Sequence, residues 1–129
     1  MVCKTCDTLD QNVIWDNRDI TVNRFESEAV FSLLILPKSH LSFTDPETSQ
    51  TLWRAAKEIM KGCLHNNLCH GINLESWESA EGHGGVILIG RKANDKISLK
   101  LKKKKTRYLL DNKLTALLKT QPLYTKKSI

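Results

Sequence analysis

EGHGGVILIGRK, residues 81–92, decides how this chain is read. Its centre, GGVILIG, is a short apolar run with β-branched residues, bounded by glycines, and reads as a strand. One histidine, His83, stands at its head, and no further polar side chain appears before Arg91. That imidazole either does chemistry or holds something in place.

Working outward, GINLESW (71–77) reads as a weaker strand, and KISLKLK (96–102) alternates with Ile97, Leu99 and Leu101 on one face. Upstream, VFSLLILPK (30–38) is a continuous apolar run ended by Pro37, which suits a strand buried on both faces. NVIWDNRDITVNRF (12–25) alternates β-formers with polar residues around a DN turn at 16–17 and predicts a hairpin. Between these lies a helix. Asp45 is a good N-cap, Pro46 takes the first helical position and Glu47 the first turn, where the helix dipole favours an acid. Leu52, Ala56, Ile59 or Met60, and Cys63 form its apolar stripe, and the end falls near His65-Asn66-Asn67. TRYLLDNKLTALLK (106–119) predicts a short amphipathic C-terminal helix carrying Leu110, Leu114, Leu117 and Leu118. Strands, one long helix between them and another at the end indicate an α+β domain.

A length of 129 residues suits a single modest core. The longest apolar run, Ala29 to Pro37, is too short to span a bilayer, and MVCKTCDTLD lacks the pattern of a secretion signal. The expectation is therefore a cytoplasmic protein without membrane attachment, whose cysteines are reduced thiols or metal ligands. The net charge of +6 is unevenly placed: residues 1–90 carry 7 Lys/Arg against 12 Asp/Glu, residues 91–129 carry 13 against 2. The densest cluster is Lys100, Lys102, Lys103, Lys104, Lys105 and Arg107. Such a cluster attracts a phosphate backbone or an acidic protein. Solvation of a short edge strand against aggregation is the alternative.

Cys3-Lys4-Thr5-Cys6 has the spacing that lets two thiolates face one tetrahedral ion. It is half a site, and His40, His65, His70, His83, Cys63 and Cys69 are the candidates to complete it. A redox dithiol would sit at a helix start after a strand, and no strand precedes Cys3. Away from that pair, Cys63, Cys69, His65 and His70 read as structural thiols and surface imidazoles, with a second metal site or a thiol/imidazole pair as the alternative. Trp15, Trp53 and Trp77 read as core or interface anchors, the alternative being a stacking platform for bases.

Taken in order, Cys3-x-x-Cys6, NVIWDN, LLILPKSH ending at His40, the following helix and GHGGVILIGR resemble the histidine-triad (HIT) family of nucleotide hydrolases and transferases over roughly residues 3–92. The resemblance implies a HIT-like α+β fold: an antiparallel sheet with one long helix after the LPKSH strand and a short C-terminal helix. It also implies a homodimer, and a zinc ion held by Cys3, Cys6, His40 and His83. Four protein ligands would make that site structural. The chain would then divide into a 1–92 core with its zinc knuckle and a basic 93–129 strand, loop and helix, in the same domain or appended to it.

The chain departs from the family where the chemistry lies. The nucleophilic second histidine aligns with Gly85 and the third with Ile87, and neither can attack a phosphate or move a proton. The ribose-binding acid aligns with Arg24, the phosphate loop with Glu78-Ser79-Ala80, and the loop asparagine with Asn73. Arg24, Asn73, Ser79 and Gly85 are thus the remnant of a nucleotide pocket. The expectation is a catalytically degenerate, zinc-stabilised module that binds nucleic acid or an acidic protein through its basic segment. An altered hydrolase or transferase, or a nucleotide-binding pseudoenzyme, is the alternative.

Overall fold

In the computed structural model, residues 3–93 and 115–117 are described. The elements run α1 (Lys4–Asp7), β1 (Val13–Asp16), β2 (Ile20–Arg24), β3 (Phe31–Pro37), α2 (Pro46–His65), β4 (Gly71–Glu78) and β5 (Gly84–Arg91). The strands form one sheet in the order β1-β2-β3-β5-β4, and every adjacent pair is antiparallel. β3 and β4 both oppose β5 and so run parallel to each other. Their connection must cross the sheet, and α2 is that crossover.

The expected hairpin is β1 and β2. Asn17 closes its turn by accepting from the backbone N–H groups of Asp19 and Ile20 at 2.8 and 2.9 Å, the side-chain turn for which asparagine is favoured. α2 begins as its sequence predicts, with Asp45 accepting from the Thr48 N–H at 2.9 Å and Pro46 following. It ends at the asparagines: Asn66 caps it, Asn67 turns left-handed at φ 58°, and Leu68 N–H donates to the Cys63 carbonyl at 2.9 Å.

β3 is buried on both faces, as its unbroken apolar run requires. Leu33 and Ile35 join Val22, Val86 and Leu88 beneath Leu52, Ala55, Ala56 and Ile59 of α2. Each large side chain in this layer contributes about 1.5–3 kcal/mol by leaving water. Leu34 and Leu36 point the other way, onto an outer face crossed by residues 3–12. The Asn23 amide secures that segment by donating to the Leu9 and Gln11 carbonyls, each at 2.9 Å. Trp15 and Trp53 pack against the core, as expected of anchors, whereas Trp77 lies on the outer face.

Residues 115–117 are helical and Leu117 packs against the core, in line with a C-terminal helix. The expected strand 96–102, the rest of helix 106–119 and the basic residues Lys100, Lys102, Lys103, Lys104, Lys105 and Arg107 lie outside the described residues.

Cys63 and Cys69 are free, buried thiols. Burial, reinforced by the neighbouring Cys69, pushes the Cys63 thiol up to about 12. With no thiolate at neutral pH, Cys63 is unreactive. A disulfide reagent at neutral pH is expected to modify it only after denaturant is added, and fast labelling in the native protein would contradict its placement.

Candidate metal centre

Four donors from three distant parts of the chain converge at one end of the sheet. Cys3 caps the single turn of α1 and Cys6 lies within it, His40 follows β3, and His83 precedes β5. Their ligand atoms all lie within 4.8 Å of one another, the one such cluster among the described residues. Cys6 Sγ is 3.2 Å from His40 Nδ1 and 3.3 Å from His83 Nδ1, and Cys3 Sγ is 3.8 Å from His83 Nδ1. Zinc bonds of about 2.3 Å to sulfur and 2.0–2.1 Å to nitrogen place tetrahedral donors roughly 3.3–3.8 Å apart. The donor set therefore fits a zinc ion in both chemistry and spacing.

Each donor is held by contacts that explain its position. Cys3 caps α1, and its sulfur accepts from the Cys6 N–H at 3.3 Å. Glu81 reaches across from the β4–β5 turn to accept from the Lys4 N–H at 3.2 Å. In that turn Ser79 N–H donates to the His83 carbonyl at 2.9 Å, Ser79 Oγ accepts from His83 N–H at 3.0 Å, and Gly82 takes the left-handed φ of 84°. His83 is fully buried, and its Nε2 lies 2.9 Å from the Pro37 carbonyl. A carbonyl only accepts, so Nε2 carries the proton and Nδ1 turns its lone pair to the thiols. Burial, aided by nearby His40, holds His83 below its usual pKa even though the Pro37 bond opposes this, and the neutral imidazole is the form that ligates. The Cys6 thiol is pushed up, first by its hydrogen bond with Cys3; a divalent cation reverses this, since a coordinating thiol is deprotonated outright.

His40 sits on an exposed loop held by three tethers. Gly84 N–H donates to the Leu41 carbonyl at 2.7 Å. Phe43 meets Trp53 edge to face at 5.8 Å. Glu78 accepts from the Ser42 hydroxyl and the Phe43 N–H, both at 2.6 Å. These last two bonds, the Ser42 one foremost, hold the Glu78 carboxyl below the usual range. A lowered carboxyl stabilises the fold above its unfolded pKa, and this contribution is lost as pH falls through the folded value. The melting-temperature gap between wild type and Glu78→Gln is therefore expected to be constant near neutrality and to close on acidification; a gap independent of pH would contradict this role.

The two positions that depart from the triad lie on the outer face. Gly85 pairs with Trp77 of β4 and lies next to the Val86–Ile35 pair that joins β5 to β3. A Cβ there would meet the Ile35 carbonyl at 2.9 Å, Leu36 Cδ2 at 3.0 Å and Leu34 Cδ1 at 3.2 Å. Ile87 is half-buried and offers no proton-transfer group. Beside them is a cavity of about 250 Å³ lined by residues that include Thr5, Thr8, Arg24, Leu34, Leu36 and Trp77.

The expected remnant pocket assembles only in part. Arg24 lines the cavity and Gly85 lies against its Leu34 and Leu36 wall. Asn73 and Ser79 do not line it. Asn73 is four residues from Trp77 along β4, about 13 Å at strand rise, and accepts from Arg91 at 3.3 Å, while Ser79 is committed to the His83 turn. The supports Asn23, Pro37, Glu78 and Glu81 had no sequence signal, because each acts through a hydrogen bond to residues far along the chain. The spacing of Ser79-x-x-Gly82-His83 is a turn signal that could have revealed the bonds between Ser79 and His83.

No family model matches the chain, and no curated protein matches it. Solved structures do. A zinc-bound histidine triad family protein from Mycobacterium smegmatis superposes with a TM-score of 0.70 at 20% identity, over 92% of this chain and 94% of that one. A histidine triad protein from Bradyrhizobium japonicum gives 0.66 at 13% identity, over 96% and 98%. One from Marinobacter aquaeolei VT8 gives 0.63 at 15% identity, over 91% and 92%. This chain has the histidine-triad fold.

Proposed function

We propose that this histidine-triad fold is stapled by a structural zinc ion on Cys3, Cys6, His40 and His83 and works by binding, without triad hydrolysis. The observation that carries the proposal is the closure of position 85, where any side chain would collide with the Ile35 carbonyl. A nucleophile has no room there, and its loss removes orders of magnitude in rate. The zinc assignment is supported by the donor spacing, the fixed His83 tautomer and the zinc-bound Mycobacterium neighbour. With four protein ligands the ion has no open position for water, so it supplies stability and no reaction step.

The partner of this module is nucleic acid or an acidic protein, engaged by Lys100, Lys102, Lys103, Lys104, Lys105 and Arg107; the charge excess after residue 90 supports this. A homodimer belongs to the same proposal, supported by the resemblance of the motifs over residues 3–92 to the histidine-triad family. Among the described residues no helix is long and apolar enough to cross a membrane. Purified protein is expected to leave adenosine phosphoramidate and dinucleoside polyphosphates unchanged, and turnover abolished by a substitution at Gly85 would overturn the reading. In salt titrations on duplex and single-stranded nucleic acid, affinity is expected to fall steeply with salt and with neutralisation of Lys102 to Lys105. Affinity indifferent to both would remove the basic segment as the contact.

A further inference from the structure

We propose that the cavity where the β1–β2 turn meets the start of α2 is a binding site for a small aliphatic diamine, with Asp19 holding one ammonium and the acids of the first turn of α2, Asp45 and Glu47, holding the other. This inference is independent of the metal reading above.

The cavity measures about 280 Å³ and shares no residue with the one on the outer face. Buried Ile20, Pro37 and Leu52 give it an apolar lining, and Ser39 and Thr51 add hydroxyls. Asp19 is placed there by its backbone: its N–H donates to Asn17 Oδ1, and its carbonyl accepts from the Lys38 N–H, each at 2.8 Å. The Asp19 Oδ1 lies 3.7 Å from Arg18 Nε, beyond hydrogen-bond length. The Oδ2 is buried and has no hydrogen-bond partner; of the two such atoms among the described residues, it is the one whose residue lines this cavity. A carboxylate oxygen taken out of water without a donor costs free energy, and an ammonium brings donors to it.

Charge and size define the ligand. Asp19, Asp45 and Glu47 set three negative charges against the one of Arg18, so the lining is net negative and repels a phosphate. The start of α2 does not call for an anion either: Pro46 has no N–H, and the Thr48 and Ser49 N–H groups already donate to Asp45. The three acids do not converge on a metal, because the Cys/His donors are the one such cluster among the described residues. An organic cation fits instead. The acids come from two separate elements, the β1–β2 turn and α2, which suits a molecule with a charge at each end. Its methylenes lie along the apolar lining as a lysine stem does. A volume just under the roughly 300–1,000 Å³ of sites for drug-sized molecules limits it to a short chain.

The test is isothermal titration calorimetry of the full chain with 1,4-diaminobutane at low salt, with n-butylamine as the one-headed comparison. The diamine is expected to bind saturably, and n-butylamine about tenfold more weakly, since it forfeits one charged hydrogen bond. Asp19→Asn is expected to cost about tenfold in affinity for the same reason. Arg18→Gln, at an exposed side chain, is expected to tighten binding severalfold by removing the opposing charge, an effect that loss of folding cannot imitate. Glu75→Gln changes an exposed acid of β4 outside the cavity and controls for diffuse attraction to the acidic body; affinity is expected to stay unchanged. The inference is overturned by the absence of saturable binding, by n-butylamine binding as tightly as the diamine, or by Glu75→Gln costing as much as Asp19→Asn. Weaker binding in Arg18→Gln overturns it as well.

Discussion

Replacing His83 with alanine is expected to strip zinc from the purified protein and to lower its stability by about 3–5 kcal/mol, the range for emptying a large buried site with loss of its partners. Three losses coincide at this residue. The ring is fully buried, so its removal leaves a void. Its Nε2–H is the partner of the Pro37 carbonyl, which is left without one. Its Nδ1 faces both sulfurs, at 3.3 and 3.8 Å. His40→Ala separates these terms. His40 is exposed, so its loss removes a ligand with little packing; metal affinity should fall in both variants, and the melting temperature much further in His83→Ala. Equal shifts in metal-free protein would show that burial of His83 does not matter.

Gly84→Ala is expected to be nearly as damaging, although it adds only one methyl group. A Cβ at this position would lie 2.1 Å from the Phe43 backbone nitrogen and 2.6 Å from its Cα. Backbone cannot rotate away as a side chain tip can. Accommodating the methyl means pushing the 41–43 loop off β5, which breaks the Gly84–Leu41 bond and moves the adjacent His40. The cost lies at or above the upper end of overpacking, about 3 kcal/mol, which lowers the melting temperature of a small domain by on the order of 10 °C. Zinc affinity should fall with it. Gly85→Ala offers a graded comparison, since its nearest contact is 2.9 Å and two of the three neighbours are leucine tips that can shift. A Gly84→Ala protein with wild-type melting and metal content would show that the loop does not approach the strand as described.

Elements governed by local chemistry were legible in the sequence. Asp45-Pro46 and Asn66-Asn67 mark both ends of α2 because capping is decided within a few residues. The unbroken run from Phe31 to Pro37 marks β3 as buried on both faces. α1 was not legible: one turn has no periodicity, and a C-x-x-C spacing describes only half of a tetrahedron. The other donors lie 34 and 77 residues beyond Cys6, and it was the resemblance that singled them out from six candidates. For the residues aligned with a nucleotide pocket the same limit acts in reverse. Alignment transfers residue identities, but Asn73 and Ser79 had acquired other hydrogen bonds, with Arg91 and with His83.

X-ray absorption at the zinc edge tests the central claim most directly. Protein carrying one zinc per chain is expected to give two sulfur ligands at about 2.3 Å and two imidazole nitrogens at about 2.0–2.1 Å, with no bound water. A shell without sulfur, or one with a water-derived oxygen in place of an imidazole, would contradict it.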